Sequence, residues 1–268
     1  MGAPEQDLVL RRPAPLHPGT LVQRYDRFIA DVALPQGVVR AHCVNTGRME
    51  GLVRPGARVW LSAVPPESKR KLRWTLELIE IDGRLIGANT LAPNRLAEAL
   101  VRARLIPGMK RWRQLETEVR YGENSRIDLM LRGKQDHLVE VKNCHLVYPD
   151  RRAYFPDSVS ERASKHLREL IQERQQGRRA SVLFILQRTD AVALRPSDLH
   201  DPTFASTARE AAAQGVVFRA ALLEPTLAGW RFLRMIPVQL DDYALEPLAP
   251  YRAELTRYSG WKRRGKEA

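Results

Sequence analysis

The feature that most constrains the fold is a change in hydrophobic pattern close to residue 93. Before it, short runs of alternating apolar and polar residues are separated by turn residues such as Pro55-Gly56 and Asp82-Gly83. After it, segments with helical periodicity alternate with strand-like runs. A period of two in one part and an α/β alternation in the other indicate two different architectures. We therefore expect two domains, which a length of 268 residues allows.

The N-terminal part is predicted to form a small antiparallel β-barrel. Strands are expected at 21–25, 28–34, 38–43, 58–64, 73–81 and 84–88. A five-stranded barrel of the oligonucleotide-binding (OB) type is one solution at this length. Because such barrels bind nucleic acids, sugars and proteins, the architecture leaves the ligand open. Trp60 and Trp74 are either base-stacking residues or part of the small core.

The C-terminal part is predicted to form a mixed α/β sheet. Helices are expected at 94–105, 160–176 and 202–214, and strands at 115–121, 126–131, 137–142, 181–186 and 216–223. The alternation of strands and helices favours a sheet covered by helices. We divide the chain into a barrel at 1–88, an α/β domain at 89–240 and a basic tail at 241–268 that packs poorly.

The charge of the chain indicates a polyanionic partner. Lys and Arg number 44 against 31 Asp and Glu, which gives a net charge of +13. Such a surplus favours phosphate backbones through counterion release, without a need for a particular base sequence. Local clusters at 69–71, 110–111 and 262–264 fit this interpretation, although a single cluster usually serves only solubility. We expect DNA as the partner, bound without sequence specificity.

Several signals favour the cytoplasm, with access to the nucleoid. No run of about 18 apolar residues is present, so a membrane span is not expected. The first residues, MGAPEQDLVLRRP, are charged where a secretory signal would be apolar. Cys43 and Cys144 are the two cysteines, which is typical of a reducing compartment rather than a disulfide scaffold.

The chemistry is predicted to lie in a hairpin that carries Asp128, Glu140 and Lys142. Residues 140 and 142 are two apart in a strand and share a face, and the hairpin turn brings Asp128 beside them. Two carboxylates and the Val141 carbonyl are hard oxygen ligands that suit Mg²⁺ or Mn²⁺. A neighbouring lysine can stabilise the charge that develops on a phosphate. This pattern predicts metal-dependent phosphodiester hydrolysis.

Further residues are candidates for the metal site or the nucleic-acid surface. Glu118, on the neighbouring strand, is either an additional metal ligand or an exposed strand residue. The residues expected to contact nucleic acid are Arg24, Arg27, Lys69, Arg70, Lys71, Ser125, Arg126, Arg162, Lys165, His166, Gln187 and Arg188. The helical group around His166 is alternatively a solvated face, and Gln187 and Arg188 alternatively cap a strand.

Many separate motifs resemble, in order, those of the bacterial sugar fermentation stimulation protein family (SfsA). They are Arg24-Tyr25, His42-Cys43-x-Asn45-Thr46-Gly47, Lys69-Arg70-Lys71, Asn89-Thr90-x-x-x-Asn94, Ser125-Arg126-x-Asp128, Glu140-Val141-Lys142-Asn143, Phe155-Pro156-Asp157 and Lys165-His166-Leu167. The resemblance implies an OB barrel joined to a restriction-endonuclease-like domain of the PD-(D/E)XK type. It also implies non-specific DNA binding and a role in regulating maltose metabolism. Carried over by motif, Asp128, Glu140 and Lys142 are the nuclease triad.

Three functional hypotheses remain open on the sequence. The first is a DNA-binding protein with a metal-dependent nuclease site. The second is a catalytically silent DNA-binding regulator that uses the nuclease fold only as a binding surface. The third is an interaction protein whose barrel binds a sugar or another protein. Binding that is insensitive to salt would favour the third, since phosphate binding weakens as salt rises.

Overall fold

A computed structural model describes residues 7–122 and 125–263. The strands are β1 (Leu8–Arg11), β2 (Leu16–Tyr25), β3 (Ile29–Leu34), β4 (Gly37–His42), β5 (Arg58–Ala63), β6 (Trp74–Ile81), β7 (Arg84–Gly87), β8 (Gln114–Tyr121), β9 (Ser125–Arg132), β10 (His137–Asn143), β11 (Arg152–Phe155), β12 (Arg179–Gln187), β13 (Ala193–Pro196), β14 (Val217–Pro225) and β15 (Gly229–Ile236). The helices are α1 (Ala92–Arg102), α2 (Glu161–Gln175), α3 (Pro202–Ala213) and α4 (Ala249–Thr256). None of these helices is long and apolar enough to cross a membrane.

Strands β2 to β7 form the predicted barrel. Their order is β4-β3-β2-β5-β6-β7, and a further parallel pairing of β4 with β6 closes the sheet on itself. The closure pairs Ala41 with Trp74 and His42 with Thr75. Apolar residues at every second position, such as Leu76 and Ala41, fill the interior. The apolar residues therefore recur at every second position because one face of each strand turns toward the barrel interior.

The second sheet has seven strands in the order β1-β15-β14-β12-β10-β9-β8. Its centre is parallel, with β12 between β10 and β14, and its flanks are antiparallel. Helix α1 covers one face through Leu96 and Leu100, and α2 and α3 cover the other through residues such as Leu167 and Phe204. Strand β12 is buried on both faces, which explains its continuous apolar sequence.

Both ends of the chain differ from the predicted division. Strand β1 pairs with β15, so residues 8–11 extend the second sheet although they fall in the range assigned to the barrel. The tail is not poorly packed where the structure describes it. Leu248 and Leu255 are buried against Tyr148 and Tyr154, and the Leu255 carbonyl accepts the Gly51 N–H at 3.2 Å. Leu248, just before α4, and Leu255 within it anchor this segment, although most of the other residues of α4 are exposed.

Three strands of the C-terminal part were not predicted. Strands β11 and β13 are four residues long and pair with each other in a separate two-stranded sheet. Strand β15 has a mixed polar and apolar sequence because it lies near the sheet edge, beside β1. Cys43 and Cys144 are free and buried, in the barrel core and the α2-side core respectively.

Candidate active site

The three predicted acids occupy one row across three neighbouring strands. Pairing of Thr117 with Leu129 and of Val119 with Ile127 places Glu118 opposite Asp128. Pairing of Val139 with Leu129 places Glu140 on the other side of Asp128. The sheet register therefore brings together the acids that the hairpin spacing predicted.

The β9–β10 ladder stops at this row. Its last backbone pair is Val139 with Leu129. At the next position the Asp128 carboxylate replaces a backbone acceptor, and its Oδ2 accepts the Val141 N–H at 2.6 Å. Its Oδ1 accepts a hydrogen bond from Asn94 Nδ2 at 2.7 Å. The Asp128 side chain is thus fixed from β10 on one side and from α1 on the other.

Glu118 has a left-handed backbone, with φ of 53°. A non-glycine residue in this region costs roughly 1–2 kcal/mol, and such positions cluster at functional sites. The side chain is exposed, and its Oε1 lies 3.5 Å from Asn94 Nδ2. Within residues 7–122 and 125–263, no three His, Cys, Asp or Glu side chains are arranged to hold a metal ion. Glu118 as a third ligand therefore stays a prediction.

Glu140 is the most buried of the three acids, with 3% of the residue exposed. Its Oε1 accepts a hydrogen bond from Lys142 Nζ at 2.6 Å and is in contact with His166 Nδ1. Burial raises the pKa of Glu140, but Lys142 and His166 more than offset this, so the pKa lies below its usual value. Its Oε2 is buried and has no hydrogen-bond partner among the described residues.

Asp128 has the opposite balance. Burial and the charge of Glu140 raise the pKa of Asp128 to about 6, although the Val141 N–H, Lys142 and Asn94 act against the rise. Positive charge nearby therefore compensates Glu140 but not Asp128, and the buried Oε2 of Glu140 lacks a donor. Both observations fit a divalent cation held by oxygen ligands. The residues present therefore suit the predicted metal.

A cavity of about 540 Å³ opens over this row of acids. Its lining consists of Asn94, Glu118, Ser125, Arg126, Asp128, Glu140, Arg162, Lys165 and His166. Arg126, Arg162 and Lys165 are exposed at its edge. A negative floor beneath a positive rim is the charge pattern expected for a metal site that receives a phosphodiester.

His166 and Ser125 lie deeper than a direct phosphate contact requires. His166 is 6% exposed, and its Nε2 accepts a hydrogen bond from Arg162 Nε at 3.4 Å while Nδ1 faces Glu140. This arrangement makes His166 a positioning residue for Glu140. Ser125 is also buried and donates to Glu169 Oε1 at 2.7 Å. Among the predicted nucleic-acid contacts that line this cavity, the exposed residues are Arg126, Arg162 and Lys165.

Arg24 does not form part of a phosphate-binding surface. It is 2% exposed, and its guanidinium donates to the carbonyls of Arg27, Asn45 and Gly47 at 2.6–3.2 Å. The prediction failed because the side chain points into the barrel end, where the turn at 45–48 needs donors for its carbonyls. Arg24 is a structural residue.

Gln187 and Arg188 are likewise placed inside the fold. Gln187 is 3% exposed and accepts a hydrogen bond from Trp230 Nε1 at 2.8 Å. Arg188 is 7% exposed and forms a bidentate ion pair with Asp190, with both contacts at 2.6 Å. Both side chains are engaged within the fold, which corrects their prediction as nucleic-acid contacts.

The barrel contributes a separate exposed basic group. Lys69, Arg70 and Lys71 are exposed in the β5–β6 loop, and Arg27 is exposed over the Trp261 ring at 5.0 Å. None of them lines the cavity above the acids. Trp60 is 4% exposed, which excludes it as an open stacking surface.

Asn94 is the site residue that chemical reasoning from the sequence missed. It donates a hydrogen bond to Asp128, lies near Glu118, and stands in the first turn of α1 after Ala92 and Pro93. An asparagine in the first turn of a helix usually indicates only capping. The available signal was its presence in one of the motifs that carried the family resemblance.

The fold and the site together define a class of protein. Its members join an OB domain, here the closed barrel, to a restriction-endonuclease-like domain. In this chain the second domain is the mixed sheet, with an Asp on one strand and a Glu-x-Lys on the adjacent strand. The family model described as "SfsA N-terminal OB domain" matches residues 22–88, and "Sugar fermentation stimulation protein RE domain" matches residues 91–229. The chain belongs to the sugar fermentation stimulation protein (SfsA) family, and the fold expected from the resemblance is confirmed.

Relatives resemble nearly the whole chain. The sugar fermentation stimulation protein homolog of Maricaulis maris is 49% identical over 236 residues, covering 87% of this chain and 100% of the relative. That of Geobacter sp. is 46% identical over 233 residues, covering 86% and 100%. A solved structure, "The structure of Pyrococcus Furiosus SfsA in complex with Ca2+", is 28% identical with a TM-score of 0.79, covering 87% of this chain and 99% of that one.

Proposed function

We propose that this protein binds DNA without sequence specificity and hydrolyses its phosphodiester bonds with a divalent metal at Asp128 and Glu140. The observation that carries the proposal is the unpartnered, buried Oε2 of Glu140 beside a second carboxylate. A buried anionic oxygen without a donor is costly unless a cation serves it. The exposed basic rim of the same cavity supports a phosphate-containing substrate.

Asp128, Glu140 and the Val141 carbonyl would hold Mg²⁺ or Mn²⁺. The solved relative is described in complex with Ca²⁺, another hard cation that takes oxygen ligands, which supports a divalent metal in this family. When bound, such an ion would supply Lewis-acid activation of the phosphate and of an attacking water. Asn94 and the Val141 N–H orient Asp128 for this role.

Lys142 and His166 act from within the protein. Lys142 Nζ, 2.6 Å from Glu140 Oε1, supplies positive charge close to where negative charge develops on the phosphate. His166 holds Glu140 by its Nδ1 side and thereby fixes the orientation of the free Oε2. Arg126, Arg162 and Lys165 would bind the flanking phosphates. Regulation of sugar metabolism, suggested by the resemblance, would act through this DNA binding.

The test compares wild type with Asp128→Asn and Lys142→Met on single- and double-stranded DNA. Cleavage is followed in Mg²⁺, Mn²⁺ and chelator, and binding over a salt series. Asp242→Asn is the matched control, because its side chain is 94% exposed. We expect metal-dependent cleavage in wild type and control and a loss of at least 100-fold in both site variants.

The same experiment separates the silent alternative. A regulator that keeps the fold only for binding would show salt-sensitive binding in all four proteins and no cleavage in any of them. Equal cleavage by wild type and Asp128→Asn would refute the assignment of the site, because it would place the activity elsewhere.

A further inference from the structure

A second cavity, of about 630 Å³, lies where the barrel meets the second sheet. Segment 12–16, the ends of β4, β5 and β6, residues 89–95 and Trp230 contribute its walls. Glu118, Asp128 and Glu140 do not line it. The two cavities nevertheless flank the same helix start, since Asn94 faces the acids and Arg95 faces this second cavity.

Arg12 is the distinctive residue of this cavity. Its side chain is 3% exposed, its Nε donates to the Thr226 carbonyl at 3.0 Å, and its guanidinium lies 3.9 Å from the Trp230 ring centroid. Its Nη2 is buried without a hydrogen-bond partner among the described residues. Burial lowers the pKa of Arg12 to about 10, so the group stays charged at neutral pH. A buried cationic donor of this kind calls for an acceptor from a ligand.

A fixed acceptor lies next to this donor. Glu77 Oε2 is 3.9 Å from Arg12 Nη1, and the Glu77 carboxylate accepts hydrogen bonds from Asn89 Nδ2 at 3.1 and 3.2 Å and from Ser62 Oγ at 2.8 Å. These bonds hold the Glu77 carboxylate in place in the cavity wall. A donor beside an acceptor complements the hydrogen-bonding edge of a nucleobase, where ring acceptors alternate with N–H groups.

The mouth of the cavity offers groups that can contact the phosphate and the flat face of the base. Arg70 and Arg95 are exposed there and can bind a phosphate. Leu91, also at the mouth, is 66% exposed, and Val44 and Val64 add apolar wall. Apolar side chains beside a polar edge suit the flat face of a base.

We propose that this cavity binds one nucleotide unit, with the edge of its base on Arg12 and Glu77 and its phosphate on Arg70 and Arg95. The base belongs either to a single strand passing the start of α1 or to a free mononucleotide, because both present the same chemistry. The proposal does not require cleavage at Asp128 and Glu140, since binding is measured without divalent metal.

The experiment titrates the full chain in chelator with the four deoxynucleoside 5′-monophosphates and, separately, with a labelled trinucleotide. Arg12→Gln removes the unpartnered donor, and Ala63→Trp fills the cavity from an exposed position on its wall without removing a charge. We expect both variants to weaken binding at least tenfold. Arg257→Gln is the control, because it removes an exposed arginine outside the cavity.

The two arms identify the source of the base. A trinucleotide that binds at least tenfold more tightly than any mononucleotide indicates a base of a strand, and equal affinities indicate a free nucleotide. The proposal is overturned if no mononucleotide or trinucleotide binds, if Ala63→Trp binds as wild type does, or if inorganic phosphate competes as well as a nucleotide. Because Ala63→Trp leaves Arg12 in place, a folding defect in Arg12→Gln does not decide the result.

Discussion

At the residue scale, adjacency in a strand was a better guide than residue type. The spacing of Glu140 and Lys142 and the hairpin to Asp128 placed three side chains together, because strand geometry has a fixed period and register. Arg24 failed as a predicted phosphate contact because arginine serves buried carbonyls as readily as exposed phosphates. Which of the two it does depends on contacts that are distant in sequence.

The strained backbone at Glu118 leads to a prediction in which stability and activity change in opposite directions. Glu118→Gly should stabilise the fold by about 0.5–1 kcal/mol, because glycine adopts a positive φ without the steric cost. Cleavage should fall, because the carboxylate is lost. Thr117→Gly, at an exposed position next to it, should instead destabilise by about 0.5–1 kcal/mol. Urea unfolding and the DNA cleavage assay check both effects, and a destabilised Glu118→Gly protein would contradict the argument.

Acid sensitivity is predicted at His137. This residue is buried, bonded to Ser181 Oγ at 2.8 Å, and its pKa is lowered to about 3 by burial and by Arg179, Arg219 and Arg174. The unfolded chain takes up this proton near pH 6.5 and the folded chain only near pH 3, so the free energy of unfolding falls as pH drops between these values. One such proton gives a slope of up to about 1.4 kcal/mol per pH unit.

The test is His137→Gln, whose unfolding free energy is measured by urea denaturation from pH 7 to pH 4. In this variant, the slope of the unfolding free energy against pH should be smaller by nearly the contribution of one proton over this range, whatever the variant's absolute stability. His17→Gln, at an exposed histidine, is the control. An unchanged slope in His137→Gln would show that the folded protein protonates His137 without cost.

At the element scale, the sequence was sufficient wherever an element buries a regular stripe. Helix α2 follows its predicted stripe through Ala163, Leu167 and Leu170 and begins at the cap of Ser160, whose Oγ accepts the Ala163 N–H. Strand β1 and helix α4 were missed because both are short, and their partners, β15 and the tyrosine cluster around Tyr148, lie far away in sequence. Local patterns carry no information about such pairings.

Helix α4 is predicted to contribute to stability rather than to act as a loose tail. Leu255 is 9% exposed and lies against the barrel loop at Gly51. Leu255→Ala should lower the free energy of unfolding by about 2–4 kcal/mol, through lost burial and a cavity. Leu233→Ala, at a leucine that is 37% exposed, should cost less than about 1 kcal/mol. Equal losses in the two variants would mean that α4 does not pack in solution.

At the scale of the whole molecule, charge and fold act together. In the proposed function, the net charge of +13 supplies non-specific attraction for DNA. The sheet register sets the acids beneath a rim formed by Arg126, Arg162 and Lys165. The number of such contacts is measurable as a salt dependence, because each phosphate contact contributes a slope of about −0.9 in log K against log salt for double-stranded DNA.

We predict that the triple variant Arg126→Gln, Arg162→Gln, Lys165→Gln reduces the magnitude of this slope by about 3. The matched triple Arg252→Gln, Arg257→Gln, Arg263→Gln removes the same charge from the exposed C-terminal segment. Binding of a double-stranded oligonucleotide is measured between 50 and 300 mM salt for both variants, in chelator. Identical slopes in the two triples would show that DNA does not bind over the acidic row, and net charge alone would explain affinity.

The measurement that tests the central claim most directly is a Mn²⁺ titration in which metal binding and DNA cleavage are followed on the same samples. Mn²⁺ occupancy is read by electron paramagnetic resonance, and wild type is compared with Glu140→Gln. The account predicts that the cleavage rate rises in proportion to occupancy of a site that Glu140→Gln weakens at least tenfold. Cleavage that does not follow Mn²⁺ occupancy, or a Glu140→Gln protein that retains both binding and cleavage, would contradict it.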